Sequence, residues 1–267
     1  MTATDTTATD VVRDELQRVA AVDRLLVALD FDGTLAPRAD DPMSARMVPE
    51  ARAALSALSA LPGTWVALVS GRSLADLRVI AEHDDDSAIL LAGSHGAEYW
   101  LPGEGAVEPI DDDADVALRD RLRAEAEEAV ADLPGAWIEP KTFGFAVHTR
   151  LSSAEDGARA QADVDALVAA HAPEWRRRTG YDIVEYAFRH EGKDTGVARL
   201  RAHVGADAVV YAGDDVTDED ALETLGADDL GIRVGDGETA ARVRVADVDA
   251  LADALALLSR LRAASRE

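Results

Sequence analysis

The chain has 267 residues, 48% of them hydrophobic, and its 52 Asp and Glu residues outnumber 27 Lys and Arg, which gives a formal net charge of −25. This charge repels nucleic acid and anionic membranes, so neither is an expected partner. The absence of Cys excludes a disulfide framework and thiolate chemistry. No apolar stretch is long enough to cross a membrane, and the N-terminus lacks the regions of a signal peptide. We therefore expect a cytoplasmic protein that is a monomer or a weak oligomer.

The acidic residues recur in short runs, at positions 84–86 and 111–113, and lysine occurs only at positions 141 and 193. These runs indicate a solvated surface rather than a metal site. We interpret the pattern as halophile-like adaptation to a cytoplasm of high salt concentration, where screening limits charge repulsion to short range. A genome rich in GC would also favour Arg over Lys, but it explains the acidic excess less well.

The first strand carries the most informative residues. After about nine residues predicted to be disordered, a helix from Asp10 leads to an apolar strand at residues 25–29, which stops at Asp30-Phe31-Asp32-Gly33. An unpaired carboxylate is costly inside a strand, but the carboxyl end of a parallel strand opens onto a ligand crevice. Asp30 and Asp32 suit phosphoryl or acyl transfer, with Asp30 as the nucleophile and Asp32 as the proton donor and acceptor. On its own, however, Asp-Gly is also a common turn.

The second and third strands also end at candidate site residues. A helix from Pro49 leads to a strand at residues 64–69, followed by the Ser-Gly-Arg of residues 70–72. The Ser70 hydroxyl and nearby amides are candidates to hold a phosphate at a helix N-terminus, although Ser-Gly alone is only a turn. A third strand, at residues 87–92, precedes His95, where flanking glycines favour a bend beside a site. A lone His is more often structural.

The pattern changes near residue 111, where a unit of one helix and two strands occurs twice up to residue 188. Helices on one face of an antiparallel sheet form a small domain of their own. The parallel pattern resumes with a helix from Lys193, a strand at 208–212, a strand at 230–234 and a last helix at about 247–264. We therefore predict an α/β fold with a Rossmann-like parallel-sheet core and an inserted α/β domain.

The strand after Lys193 ends in the acidic segment 213–220. We expect Asp30 and Asp214 to bind Mg²⁺ with the main-chain carbonyl of Asp32, because this ion prefers oxygen ligands. Asp215 and Asp218 would support these ligands from behind, while Ser70 and Lys193 would bind phosphate oxygens. Two alternatives stay open, in which Asp214 and Asp215 only cap a helix and Lys193 is a surface residue.

Four segments in this order resemble the motifs of the haloacid dehalogenase (HAD) superfamily of aspartate-nucleophile phosphatases, over nearly the whole chain. They are Asp-Phe-Asp-Gly-Thr-Leu, Ser-Gly-Arg, the Lys at position 193 and Gly-Asp-Asp-x-Thr-Asp-Glu-Asp. More narrowly, residues 35–37 and 93–98, Glu139-x-Lys141 and His148-Thr149-Arg150 resemble the trehalose-6-phosphate phosphatase family. The resemblance implies a HAD hydrolase core of residues 1–103 and 191–267 and an inserted α/β cap of residues 104–190 that selects the substrate.

The same resemblance implies Mg²⁺-dependent hydrolysis of trehalose 6-phosphate to trehalose and phosphate through an aspartyl-phosphate intermediate. It assigns the nucleophile to Asp30, the acid and base to Asp32, phosphate contacts to Ser70 and Lys193, and metal binding to Asp30, Asp32 and Asp214. It further implies that the substrate is bound by Gly33, Thr34, Gly71, Arg72, His95, Glu98, Lys141, His148, Arg150 and Glu185.

Two departures affect recognition of the sugar. The family usually has Glu-x-Arg-Pro in the last cap strand, whereas this chain has Glu185-Tyr186-Ala187-Phe188, and Lys193 is followed by Asp194 instead of Gly. Arg189 is the candidate replacement for the missing Arg. A phosphatase of another sugar or pseudodisaccharide phosphate therefore stays open, as does a non-catalytic sensor of sugar phosphates. The complete catalytic set argues against the sensor, and a dehalogenase would have little use for Asp32.

Overall fold

The computed structural model describes residues 8–39, 41–107, 109, 111–180 and 182–266, without the side chains of residues 8 and 9. It comprises two compact units, unit 1 (Met1–Val107 with Gly192–Glu267) and unit 2 (Glu108–Glu191). The boundaries predicted from sequence lie after residues 103 and 190. Of the nine or so residues predicted to be disordered, residues 1–7 fall outside the described residues. Residues 8 and 9 belong to the first helix, which begins at Ala8 and not at the predicted Asp10.

The described residues form eight α-helices and twelve β-strands. The helices are α1 Ala8–Ala20, α2 Pro49–Ser59, α3 Leu74–Ile80, α4 Asp113–Val130, α5 Ala154–His171, α6 Lys193–Val204, α7 Val216–Leu222 and α8 Val248–Ala264. The strands are β1 Leu25–Leu29, β2 Thr64–Val69, β3 Leu90–Gly93, β4 Glu98–Leu101, β5 Gly105–Val107, β6 Trp137–Lys141, β7 Gly144–His148, β8 Arg176–Gly180, β9 Ile183–Ala187, β10 Ala208–Gly213, β11 Leu230–Val234 and β12 Val243–Val245. None of the described helices is long and apolar enough to cross a membrane.

Unit 1 is built on one eight-stranded sheet in the order β12-β11-β10-β1-β2-β3-β4-β5. The strands are parallel from β12 to β3, and β4 and β5 add an antiparallel edge. The predicted α/β class with a parallel core sheet is confirmed. Leu29 lies in register with both Leu68 and Ala212, so β1, β2 and β10 end at the same edge of the sheet.

Residues 102–105, for which the sequence indicates a hairpin or a linker, belong to a hairpin in which residues 102–104 join β4 to β5. Two strands of this sheet, β3 and β12, differ from the sequence prediction. Asp84 accepts hydrogen bonds from the amides of residues 86 and 87 in a turn, and β3 begins at Leu90 instead of residue 87. The three-residue strand β12 is too short to show a periodic pattern.

The core of unit 1 covers both faces of its sheet. Alternate residues of β1 point to opposite sides, so Leu25, Val27 and Leu29 pack with α1, α2, α3 and α8, whereas Leu26 and Ala28 pack with α6 and α7. Every residue of β1 is buried. Burial on both sides explains why β1 is a continuous apolar run and why the first carboxylate, that of Asp30, comes after the end of the strand.

A buried arginine ties α8 to the loops that precede β1 and β2. The guanidinium of Arg262 donates to the main-chain oxygens of Ala20, Val22, Asp23 and Gly63, at 2.5–3.2 Å, and to the Thr64 hydroxyl at 2.5 Å. Its side chain is fully buried. One side chain therefore donates hydrogen bonds to two segments of the chain, residues 20–23 and residues 63–64.

Unit 2 is a four-stranded antiparallel sheet, in the order β6-β7-β9-β8, with α4 and α5 on one face. The apolar side chains of β7 and β9 that face the helices include Phe145, Val147 and Val184. Residues of the opposite face alternate with them, and there Glu139, Ala146, Glu185 and Arg178 are cross-strand neighbours in one row. Unit 2 thus has one apolar face and one face that carries charged side chains.

We predict that Arg262→Met lowers the free energy of unfolding by about 3 kcal/mol, since several buried acceptors lose a charged donor. The control is Arg260→Met, which removes the same charge from the exposed side of α8 and should change stability by less than about 0.5 kcal/mol. Urea denaturation monitored by tryptophan fluorescence measures both values. Equal effects of the two substitutions would contradict the role given to Arg262.

Candidate active site

The turn after β1 places Asp30 at the edge of the sheet. The Asp30 amide donates to the Ala212 oxygen at 2.9 Å, which continues the pairing of β1 with β10. The Phe31 oxygen then accepts from the amides of residues 34, 35 and 36, so the chain folds back at once. Asp30 is only 5% exposed. A carboxylate buried to this degree needs a cationic partner.

Lys193, the first residue of α6, provides that partner. Its Nζ lies 2.7 Å from Asp30 Oδ1 and 2.6 Å from Asp218 Oδ1, and all three side chains are buried. Burial by itself would lower the pKa of Lys193, but Asp218 and Asp30 raise it above its usual value. Lys193 is therefore a buried ammonium group with two of its three donors directed at carboxylates. The surface-residue alternative for Lys193 is wrong.

Asp218 links this ion pair to the loop after β10. Besides Lys193, its Oδ1 accepts from the Tyr211 hydroxyl at 2.6 Å. Its Oδ2 accepts from the amides of Asp214 and Asp215 at 3.1 and 2.9 Å. Both oxygens of Asp218 are thus occupied, and the carboxylate fixes the conformation of the loop that carries Asp214.

Asp214 and Asp30 face each other across Thr34. The Thr34 hydroxyl lies 3.1 Å from Asp30 Oδ2 and 3.4 Å from Asp214 Oδ1. One carboxylate oxygen from each of Asp30, Asp214 and Asp218 lies within 4.8 Å of the other two. Residues from the two ends of the chain therefore form one acidic cluster. Its donors are hard carboxylate oxygens, a set that fits Mg²⁺.

Gly33 allows this approach. Its φ is +80°, and a Cβ at this position would lie 2.0 Å from Asp214 Oδ2. A side chain here would be strained and would also displace the Asp214 carboxylate. Because Gly33 has no side chain, it leaves space for the Asp214 carboxylate.

Asp215 and Asp32 have other partners. The Asp215 carboxylate caps α7 by accepting from the Val216 amide at 2.7 Å, so the helix-capping alternative is correct for Asp215. The Asp215 amide donates to Asp218 Oδ2. The Asp32 carboxylate forms a two-pronged ion pair with Arg72, at 2.6 and 2.7 Å. It is about one third exposed. Asp32 thus lies on the solvent side of buried Asp30.

The segment after β2 packs closely with that after β3. Ser70 is buried, its Oγ accepts from the Arg72 amide at 3.2 Å, and its main-chain oxygen accepts from the His95 amide at 2.9 Å. A Cβ on Gly71 would meet the His95 ring at 2.6 Å. The buried Glu98 accepts from the Leu74 amide at 3.1 Å and the Ser94 hydroxyl at 2.5 Å. These contacts of Glu98 hold the start of α3, and its contact with the substrate stays a prediction.

On the charged face of unit 2, Glu139 links two of the predicted substrate-binding residues. It lies 2.9 Å from Lys141 Nζ and 2.6 Å from His148 Nε2. Partial burial would raise the pKa of Glu139, but the hydrogen bond from His148 and the charge of Lys141 lower it to about 2. Trp137 stacks on the His148 ring with centroids 4.5 Å apart, and the Arg150 guanidinium lies 5.5 Å from the Trp137 ring.

Glu185 and Arg189 belong to the segment whose sequence differs from the family motif Glu-x-Arg-Pro. Both have ionic partners in unit 2. Glu185 pairs with the buried Arg178 at 3.5 Å. Arg189 pairs with Asp111 at 2.5 Å and with Glu191 at 3.4 Å, and it lies over the Phe143 ring. The candidate replacement for the missing arginine is thus held by carboxylates of its own unit.

Two residues that contact the acidic cluster were not predicted from the sequence. Tyr211 lies within an apolar strand, where a tyrosine is as compatible with core packing as with a polar role. Arg38 lies in a Pro and Asp loop and donates to Asp214 Oδ2 from Nε at 3.2 Å and from Nη2 at 2.8 Å. Nothing in the sequence pattern indicates that contact.

Comparison with known proteins agrees with this geometry. The trehalose-phosphatase family profile matches residues 28–248. An uncharacterized glycosyl hydrolase of Mycobacterium tuberculosis is 36% identical over 258 residues, covering 88% of this chain and 18% of that protein. The trehalose-phosphate phosphatase of the same organism is 33% identical over 245 residues, covering 85% of this chain and 61% of that protein. The chain thus spans less than two thirds of the length of either relative.

The fold is also similar to a solved structure. The C-terminal domain of Candida albicans trehalose-6-phosphate phosphatase superposes with a TM-score of 0.77 at 21% identity, covering 93% of this chain and 96% of that one. At this identity the likeness concerns the fold alone.

We predict that Gly33→Ala abolishes function at the acidic cluster, because the new methyl group displaces Asp214. Gly103→Ala is the matched control, since Gly103 has a φ of +83° and no atom within 4 Å of a Cβ. Both variants should lose about 1 kcal/mol of stability from backbone strain, but only Gly33→Ala should lose more than about 100-fold in kcat/KM for the activity proposed below. Similar kcat/KM values for the two variants would refute the tight approach of Gly33 to Asp214.

Proposed function

The chain belongs to the trehalose-phosphatase family, and from that membership we propose that it hydrolyses trehalose 6-phosphate to trehalose and inorganic phosphate. The observation that supports this most strongly is the position of Asp30. It is a buried carboxylate at a strand end, paired with the Lys193 ammonium and within reach of Asp214. A protein that only binds sugar phosphates has no need of a carboxylate in this arrangement.

The proposed reaction has two halves. In the first, a carboxylate oxygen of Asp30 forms a bond to phosphorus as the bond between phosphorus and the sugar oxygen breaks, and Asp32 gives its proton to that oxygen. In the second, water attacks phosphorus, Asp32 takes a proton from it, and the bond to Asp30 breaks. Lys193 has a third N–H donor for a phosphate oxygen, and the Ser70 hydroxyl is a further donor.

We propose that Mg²⁺ is the cofactor. Asp30 and Asp214 would hold the ion together with the main-chain carbonyl of Asp32, and the bound ion would supply positive charge next to the phosphate. Asp218 would act behind these ligands, since Lys193, Tyr211 and two amides already occupy its oxygens. Gly33, Thr34, Gly71, Arg72 and His95 complete the proposed phosphate side of the site.

We propose that Lys141, His148, Arg150 and Glu185 of unit 2 bind the sugar. Glu139 supports this by orienting two of them. A phosphatase of another sugar or pseudodisaccharide phosphate is the second candidate. It is favoured by one observation, that Arg189 is already paired with Asp111 and Glu191.

We predict that Asp30→Asn lowers kcat by at least about 1,000-fold without loss of the fold, because the amide is a poor nucleophile. Asp41→Asn is the control, since it removes a charge from an exposed capping position that Asn also fills. Phosphate release from trehalose 6-phosphate with Mg²⁺ measures kcat, and chelation should abolish the wild-type rate reversibly. Wild-type activity in Asp30→Asn would refute the mechanism.

The same assay, run over a panel of sugar phosphates, separates the two candidate substrates. Trehalose 6-phosphate should exceed glucose 6-phosphate and pseudodisaccharide phosphates by more than about 100-fold in kcat/KM. A clear preference for another sugar phosphate would select the second candidate. Release of phosphate from none of them would favour the sensor.

We further propose that the enzyme works in a cytoplasm of high salt concentration, on the basis of its net charge of −25. Salt screens repulsion among exposed carboxylates, so the melting temperature should rise by about 5 °C or more between dilute buffer and 2 M KCl. Differential scanning calorimetry measures this shift. Equal melting temperatures in the two buffers would exclude salt adaptation.

A further inference from the structure

Each of the four carboxylates of the site is paired with one of three cationic side chains. Lys193 pairs with Asp30 and Asp218, Arg72 pairs with Asp32, and Arg38 pairs with Asp214. The first two cations have proposed roles toward the phosphate. Arg38 has none, although it contacts a proposed ligand of the metal ion directly.

Arg38 reaches Asp214 from the solvent side. Its guanidinium directs both Nε and Nη2 at the same oxygen, Oδ2, at 3.2 and 2.8 Å. The Arg38 side chain is 49% exposed, whereas that of Asp214 is 10% exposed. Removing the arginine would therefore leave the core intact and would expose an oxygen of Asp214.

Arg38 also has space to move. It lines a cavity of about 350 Å³ within unit 1, together with Asp214, Gly33 and the segments 234–236 and 246–248. Two exposed carboxylates, Asp236 and Asp247, belong to the same wall. A guanidinium that left Asp214 would remain near other anions, so the cost of breaking the first pair would be partly offset.

We propose that Arg38 is the resident counter-cation of Asp214 and that a divalent cation must displace it to bind. This inference rests on the metal site of the proposed function. The pair stabilises the metal-free protein by relieving repulsion among Asp30, Asp214 and Asp218. It also lowers the affinity for the metal ion, because two positive groups compete for one carboxylate.

Isothermal titration calorimetry with MgCl₂ tests the competition without measuring catalysis. Arg38→Gln should bind Mg²⁺ about tenfold more tightly than wild type, as expected when a like charge a few Å away is removed. Arg38→Lys keeps the charge and should stay within about threefold of wild type. In the absence of metal, Arg38→Gln should also melt at a lower temperature than wild type.

Arg46→Gln is the matched control. Arg46 lies in the same loop region, its side chain is 45% exposed, and it donates to the main-chain oxygens of Met43 and Ala45. The control removes the same charge without touching Asp214, so its Mg²⁺ affinity should stay within about twofold of wild type. An equal gain in Arg46→Gln would show that net charge is responsible and would overturn the proposal.

Two further outcomes separate this proposal from the proposed function. If wild type binds Mg²⁺ but Arg38→Gln binds no more tightly, Arg38 does not compete and only this inference fails. If Arg38→Lys gains as much as Arg38→Gln, charge competition is likewise wrong. If wild type binds no divalent cation at all, the metal requirement of the proposed function fails, and this inference fails with it.

Discussion

The whole site depends on the buried ammonium group of Lys193. Two carboxylates, Asp30 and Asp218, are withdrawn from water at the edge of the sheet, and each would be costly to bury without a cation. Lys193 lies between them, at 2.7 and 2.6 Å. Because Asp218 also holds the amides of residues 214 and 215, the same ion pair fixes the loop that carries Asp214. One cation thus orders both halves of the acidic cluster.

The order of strands explains why residues so distant in sequence meet. β1 lies between β2 and β10, and the register of these strands brings their carboxyl ends to one edge. Each loop after these strands then contributes one polar group, namely Asp30, Ser70 or Asp214. The inserted unit 2 does not interrupt this sheet, since its own strands pair only with one another in the described residues. The order and register of the strands of unit 1 therefore do not depend on strand pairing with unit 2.

The parallel sheet and the carboxylate at the end of its first strand could be predicted from the sequence, for a physical reason. Buried parallel strands are apolar runs, and a carboxylate at the end of such a run, as at Asp30, is conspicuous. Polar contacts between loops leave no such pattern, so the pairing of Arg38 with Asp214 could not be foreseen. The contacts of Glu98 with the start of α3 could not be foreseen for a similar reason, because a buried carboxylate that caps α3 and one that binds a sugar have the same sequence signature. The hydrogen bond from Tyr211 to Asp218 could not be predicted either, because the hydroxyl is the one polar atom of a side chain that otherwise belongs to the core.

In the proposed mechanism, Asp214 and the nucleophile Asp30 together bind one divalent cation. Anomalous scattering from crystals of the protein soaked in MnCl₂ tests it most directly, because Mn²⁺ takes the same oxygen ligands as Mg²⁺ and its position is seen without assumptions about catalysis. The strongest anomalous peak should lie between the two carboxylates, about 2.0–2.3 Å from an oxygen of each. A peak found only at the surface acidic runs, or none near Asp30, would contradict the claim.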